Sequence, residues 1–261
     1  MHIGAYALAV ALAVAALSFR AAQAADDTTR EILAHCAGCD FARVDWHGRD
    51  LHGVSVAGAD LSGANLRGAN LRDARFAGVD LSNADLRDAD LRGVRFAGVD
   101  IRGARFQGAN FEGAELAGMD LADIGFGELN DATVRGLLGR CAGCNLRGAS
   151  LSKRDLHAVS LPGCDLKDAK LAGADLQTAY LPGCDMSGAD LSGANLDGAA
   201  LCYRNQGDDN ELRCSDLSAA NLHGARLHHI LECNGNRRNC TEVDAQTLRN
   251  EGHANLDGAF F

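Results

Sequence analysis

Residues 57–91 read AGADLSGANLRGANLRDARFAGVDLSNADLRDADL, and this stretch decides the fold. Large apolar residues recur every five positions, at Leu61, Leu66, Leu71, Phe76, Leu81, Leu86 and Leu91. Two residues before each stands a small one: Ala59, Ala64, Ala69, Ala74, Val79, Ala84 and Ala89. A period of five fits neither the 3.6 of an α-helix nor the 2 of a flat strand. It fits a chain that turns a corner every five residues. Four such corners close a square coil of about twenty residues, and stacked coils pair as parallel ladders about 4.8 Å apart. The large residue and the small one point inward, and the small one is needed because a narrow square lumen has no room for more. Gly, Asn and Asp suit the corners, where they tolerate turn geometry and bond their own backbone.

Outward from this stretch the register runs unbroken from Phe41 to Phe126. It resumes at Leu146, runs to Leu201, and returns in a shifted phase at Leu217, Leu222 and Leu227. The A-(D/N)-L-x-x pattern resembles the pentapeptide-repeat family over most of residues 39–231. The resemblance implies an all-β fold, a right-handed quadrilateral β-helix, here in two main segments with short capping helices. The openings HCAGCDF and RCAGCNL resemble a variant of that family for which no activity is established. The period differs from the hexapeptide β-helix enzymes, so their acyltransferase chemistry does not carry over.

The chain divides into four parts. Residues 1–24 combine an apolar run with Ala22-Gln23-Ala24, which reads as a signal peptide cut after Ala24. The run is too short for a membrane span of about 20 residues. Residues 25–126 hold a capping helix and the first repeat block, and 127–201 a helical interruption and the second block. Residues 202–261 hold a disulfide-tied insertion, the short third stretch and a C-terminal helix or cap. The two blocks align at an offset of 105, CAGCDFARVDWHGRDLHGVSV on CAGCNLRGASLSKRDLHAVSL. A helix is expected before each: TTREILAH, with Thr28 and Glu31 as a capping box, and NDATVRGLLGR, with Asp131 as N-cap. Such helices cover the apolar lumen and open strand edges of a β-helix end. Whether 127–143 separate two stacked solenoids or bulge from one, the pattern leaves open.

Arg49 and Arg154 occupy the normally small inward position, where an unpaired charge is costly. We expect each to reach its cap helix and bond the C-terminal carbonyls; the alternative is a bulge that turns it to solvent. The ten cysteines are an even number in a chain read as exported, which favours disulfides. Cys202 and Cys214 flank one insertion and Cys233 and Cys240 another, each a loop tied at its base. Cys36 and Cys39, and Cys141 and Cys144, are candidates for local disulfides. Cys144, Cys164 and Cys184 are one coil apart, and the last two are read as buried thiols in place of Ala.

Loss of Arg20 with the leader takes the formal charge from −10 to −11. This moderately acidic balance argues against nucleic-acid binding through a basic patch. No nucleophile–base–acid pattern or phosphate loop stands out. Asp60, Asp80, Asp100 and Asp120 stack one coil apart, but they sit at corner positions, whose usual task is local turn bonding. The expectation is a non-enzymatic, cofactor-free rod or scaffold, periplasmic or secreted, facing a protein or cell-envelope partner. One alternative is a Cys/His metal or thiol-redox protein, drawing His35, His47 and His52 to Cys36 and Cys39; the second block keeps only His157 of these histidines. A second is a DNA mimic that binds topoisomerase, against which Arg67/Arg87, Arg72/Arg92 and Arg75/Arg95 mix charge into an acidic surface.

Overall fold

The computed structural model describes residues 27–31, 33, 37–204, 212–233 and 239–261. The expected signal segment 1–24 lies outside them, as do Cys36 and the insertion tips 205–211 and 234–238.

The chain winds as a four-sided all-β solenoid. On three sides a residue pairs in parallel with its equivalent twenty positions on, as Asp40 with Asp60, Asp45 with Asn65 and Asp50 with Asn70. On the fourth side the pairing lengthens into strands β1 (Ser55–Ala57), β2 (Arg75–Ala77), β3 (Arg95–Ala97) and β4 (Glu115–Ala117), in that order. Two amides per side hold each coil to the next: Leu61 N donates to Asp80 O at 2.7 Å and Gly63 N to Ser82 O at 2.8 Å. The corner residue takes a left-handed conformation, φ 64° at Gly63 and 55° at Asp73. That geometry explains why Gly, Asn or Asp fills most corners. Inside, Ala59, Ala64, Ala69 and Ala74 are buried with Leu61, Leu66, Leu71 and Phe76. Phe76 meets Phe96 of the next coil edge-on, with ring centroids 5.4 Å apart.

After Leu121 the chain leaves the ladder for a 3-10 turn (Phe126–Glu128) and helix α1 (Asp131–Leu138). The stack itself does not stop. Leu116 N donates to Arg140 O at 3.0 Å and Gly118 N to Ala142 O at 2.8 Å, and Asp120 pairs with Asn145. The two blocks are therefore one continuous stack, and α1 bulges from a coil lengthened to 25 residues between Asp120 and Asn145. Asn130, not Asp131, is the N-cap: its side chain accepts from Thr133 N at 2.8 Å. Asp131 is already helical, one position too late for the extended backbone that a cap needs. Val134, Leu137 and Leu138 form the buried stripe.

Beyond the second block the chain makes two hairpins. Strand β5 (Ala200–Arg204) pairs antiparallel with β6 (Leu212–Cys214), and β7 (Leu231–Cys233) with β8 (Cys240–Glu242). β5 and β7 pair in parallel, so the hairpins form one sheet in the order β6-β5-β7-β8. Asp185 then pairs with Asp216, an offset of 31. The eleven residues beyond a normal coil are the first hairpin, which is why the third stretch reads in a shifted phase. Helix α2 (Ala245–Glu251), capped by Asp244, buries Leu248, and the chain rejoins the ladder where Arg226 pairs with Phe260.

Candidate interaction surface

The outward surface is built from the corner carboxylates. Each folds onto its own turn: Asp60 accepts from Ser62 N at 2.8 Å, Asp80 from Ser82 N at 2.8 Å and Asp100 from Arg102 N at 3.0 Å. Where Asn alternates with Asp, the side chains bond between coils. Asn65 Nδ2 donates to Asp45 at 2.9 Å, Asn70 Nδ2 to Asp50 at 2.8 Å and Asn145 Nδ2 to Asp120 at 2.9 Å. The arginines close the same pattern, with Arg87 on Asp85 at 2.6 Å and Arg105 on Asp85 at 3.0 Å. The hydrogen bond from Arg87 holds the Asp85 carboxyl below its usual range, as Arg92 does for Asp90 and Arg102 for Asp100.

The start of each block is held by the same clip. Arg30 Nη1 donates to Asp50 at 3.4 Å, and Arg135 Nη1 to Asp155 at 2.7 Å. These pairs stand 105 residues apart, and both aspartates belong to an Arg-Asp-Leu-His sequence, with His52 and His157. Sequence reasoning used that alignment but missed the helix arginines, although the same offset joins Arg30 to Arg135.

Arg154 lies half-buried. Its Nη2 donates to Phe126 O at 2.6 Å and its Nη1 to Asp131 at 3.0 Å. It is linked to the α1 segment at the start of the helix, not at the C-terminal carbonyls expected. The chain direction explains the difference: α1 ends by feeding Arg140 into the ladder at Leu116, so its beginning lies nearer Arg154. There is no bulge, since Asp175 N still donates to Arg154 O at 2.9 Å. Arg49 is also half-buried with its ladder intact, Asn70 N donating to Arg49 O at 2.9 Å. The end of the helix before it, at 34–36, lies outside the described residues.

Disulfides join Cys141 to Cys144, Cys202 to Cys214 and Cys233 to Cys240. The last two cross their hairpins between directly opposed residues. Cys39 is disulfide-bonded, and Cys36 lies outside the described residues. Cys164 and Cys184 are buried free thiols, each donating to a carbonyl of the previous coil, Cys141 O and Leu161 O, at 2.8 Å. Burial pushes the Cys164 thiol up to about 11, and raises Cys184 as well. Ser215 continues this column one coil on, its hydroxyl set against Leu181 O and Leu201 O. Among the described residues no three His, Cys, Asp or Glu side chains are grouped to hold a metal ion, and no helix is long and apolar enough to cross a membrane.

A family model described as pentapeptide repeats matches residues 33–68, 69–108, 89–123, 140–177 and 169–202. No curated protein matches the chain. Among solved structures, HetL, a pentapeptide repeat protein involved in heterocyst differentiation regulation in Nostoc sp. strain PCC 7120, is 28% identical. The match covers 76% of this chain and 91% of HetL, with a TM-score of 0.33. A pentapeptide repeat protein of the Arabidopsis thaliana thylakoid lumen is 33% identical over 31% of this chain and 63% of its own, with a TM-score of 0.21. Full-length QnrB1, a plasmid-mediated fluoroquinolone resistance protein, is 21% identical over 70% of this chain and 89% of its own, with a TM-score of 0.30.

Proposed function

Because the chain belongs to the pentapeptide-repeat family, we propose that it is an exported, non-enzymatic rod presenting a rigid surface to a protein or cell-envelope partner. The observation that carries this reading is the cross-bonded exterior. Asn65, Asn70 and Asn145 tie one coil's corner to the next, and Arg87, Arg92 and Arg102 are folded onto carboxylates. Side chains already fixed lose little freedom on association, so such a surface binds without a large ordering cost. The disulfides and the leader-like residues 1–24 support a periplasmic or secreted location. Arginines neutralising the acidic ladders speak against a duplex mimic, whose surface should be a uniform lattice of negative charge.

The test is intact mass, thiol mapping and metal analysis on the full-length protein expressed with its own leader. The expected result is loss of residues 1–24, disulfide-paired cysteines apart from Cys164 and Cys184, and no stoichiometric metal. A cytosolic protein that keeps residues 1–24, with reduced Cys141 and Cys144 and bound zinc, would overturn the exported rod.

A further inference from the structure

The chain contains a single Asn-x-Thr triplet, Asn239-Cys240-Thr241, and no Asn-x-Ser. This is the acceptor signature for N-linked glycosylation, which belongs on a surface loop of a secreted protein. The repeat leaves ample room for more of them. At Asp60, Asp80, Asp185, Asp190 and Asp216 a serine follows two residues on, so Asn in place of Asp would complete the triplet. The turn itself takes either residue: Asp60 accepts from Ser62 N at 2.8 Å, and Asn65 from Arg67 N at 3.3 Å. Asn65, Asn70 and Asn145 are each followed two residues on by Arg, and no corner asparagine by Ser or Thr. The triplet is thus confined to the second hairpin, off the stacked coils.

Asn239 is exposed in the bend that leads into β8, and Thr241 is exposed on the strand. β8 is also an open edge. In the order β6-β5-β7-β8, the opposite edge strand β6 rests against helix α2. Among the described residues β8 pairs on one side only, antiparallel with β7. A free strand edge is a template for pairing with another chain, and native proteins cover or blunt it. We propose that Asn239 is an N-glycosylation site whose glycan shields the β8 edge. The co-substrate is an oligosaccharide carried on a lipid diphosphate, supplied together with its transferase by the export route. Asn239 Nδ2 forms a bond to the anomeric carbon and gives up one proton. The bond from that carbon to the diphosphate oxygen breaks, and the lipid diphosphate leaves. Thr241 supplies the hydroxyl that the signature requires. The Cys233–Cys240 disulfide ties the hairpin beside the acceptor, so the glycan stays next to the edge it covers.

The inference rests on the exported reading, because the transfer takes place in the export route and not in the cytosol. The test is intact mass of the full chain purified from the cells that encode it. The mass is read before and after peptide N-glycosidase in heavy-oxygen water, which turns a glycan-bearing Asn into labelled Asp. The expected result is one glycan, with the label at residue 239. The mass gain should be lost in Asn239→Gln and in Thr241→Ala, and kept in Thr241→Ser. Both positions are exposed, so these changes do not threaten the fold. The glycan-free protein should also self-associate more than the glycosylated one in sedimentation. A chain that has lost residues 1–24 and is unmodified at Asn239 would overturn the site and leave the exported reading standing. A chain that keeps residues 1–24 and is unmodified would overturn both. Equal self-association with and without the glycan would overturn the shielding.

Discussion

A methyl group added at Gly136 would stand 2.7 Å from Phe111 Cβ and 3.2 Å from its backbone. Alanine is the better helix former by about 1 kcal/mol, yet overpacking of this kind costs about 1–3 kcal/mol. Gly136→Ala should therefore lower stability in urea unfolding; a gain would mean that α1 does not rest on Phe111. The lumen thiols supply a pH test. Burial moves the Cys164 thiol from its ordinary 9.0 up to about 11 and raises Cys184 too. The folded chain holds these protons where the unfolded chain releases them. Their stabilisation is full below about pH 9 and is lost as pH rises toward 11. Urea midpoints across that window should fall, and the double variant Cys164→Ala/Cys184→Ala should flatten the slope. At this scale the sequence was informative about position and poor about partners. That Cys164, Cys184 and Arg154 occupy the normally small inward position can be read from the pentad alone. That Arg154 meets Phe126 O and Asp131 depends on the path of a segment with no repeat to read.

The two hairpins are read from their cysteines, but their alliance is not. Sixteen residues lie between Cys214 and the next hairpin's Leu231, and only the coil geometry brings β5 beside β7. Replacing Cys202 and Cys214 by alanine frees a loop of this size and should cost about 3 kcal/mol. Because β5 is central in β6-β5-β7-β8, the loss should also loosen the second hairpin. Faster amide exchange in Leu231–Cys233 of the double variant would show this. Unchanged exchange there would mean that the hairpins open independently. Helix α1 was legible as an element from Val134, Leu137 and Leu138. Its docking site was not, because the pattern says nothing of which coil a bulged segment lies against.

For the whole molecule the pentad specifies a stack, and a stack is stable through its neighbour contacts. Among the described residues those contacts thin out over the turn from Ile101 to Gly113, where the amides of Ile101, Gly103, Phe106, Gly108, Phe111 and Gly113 are not handed on to the next coil. Hydrogen exchange should be fastest there among the repeat turns, by about tenfold or more over 81–93, since exchange tracks the lowest-energy local opening. Equal protection in both turns would contradict the seam. Nothing in the repeat announces it, because residues 101–113 keep perfect register and the fault lies in the bulged turn after them. The paired clips, Arg30 with Asp50 and Arg135 with Asp155, lend the molecule a gauge length. From Ala37 to Ala142 the chain climbs five rises, about 24 Å. Excising residues 37–141 would join Cys36 to Ala142 and restore an intact Cys-Ala-Gly-Cys junction. A chain built this way can change its reach in whole 24 Å steps, like a rod cut from standard lengths, with the fittings at each joint already in place.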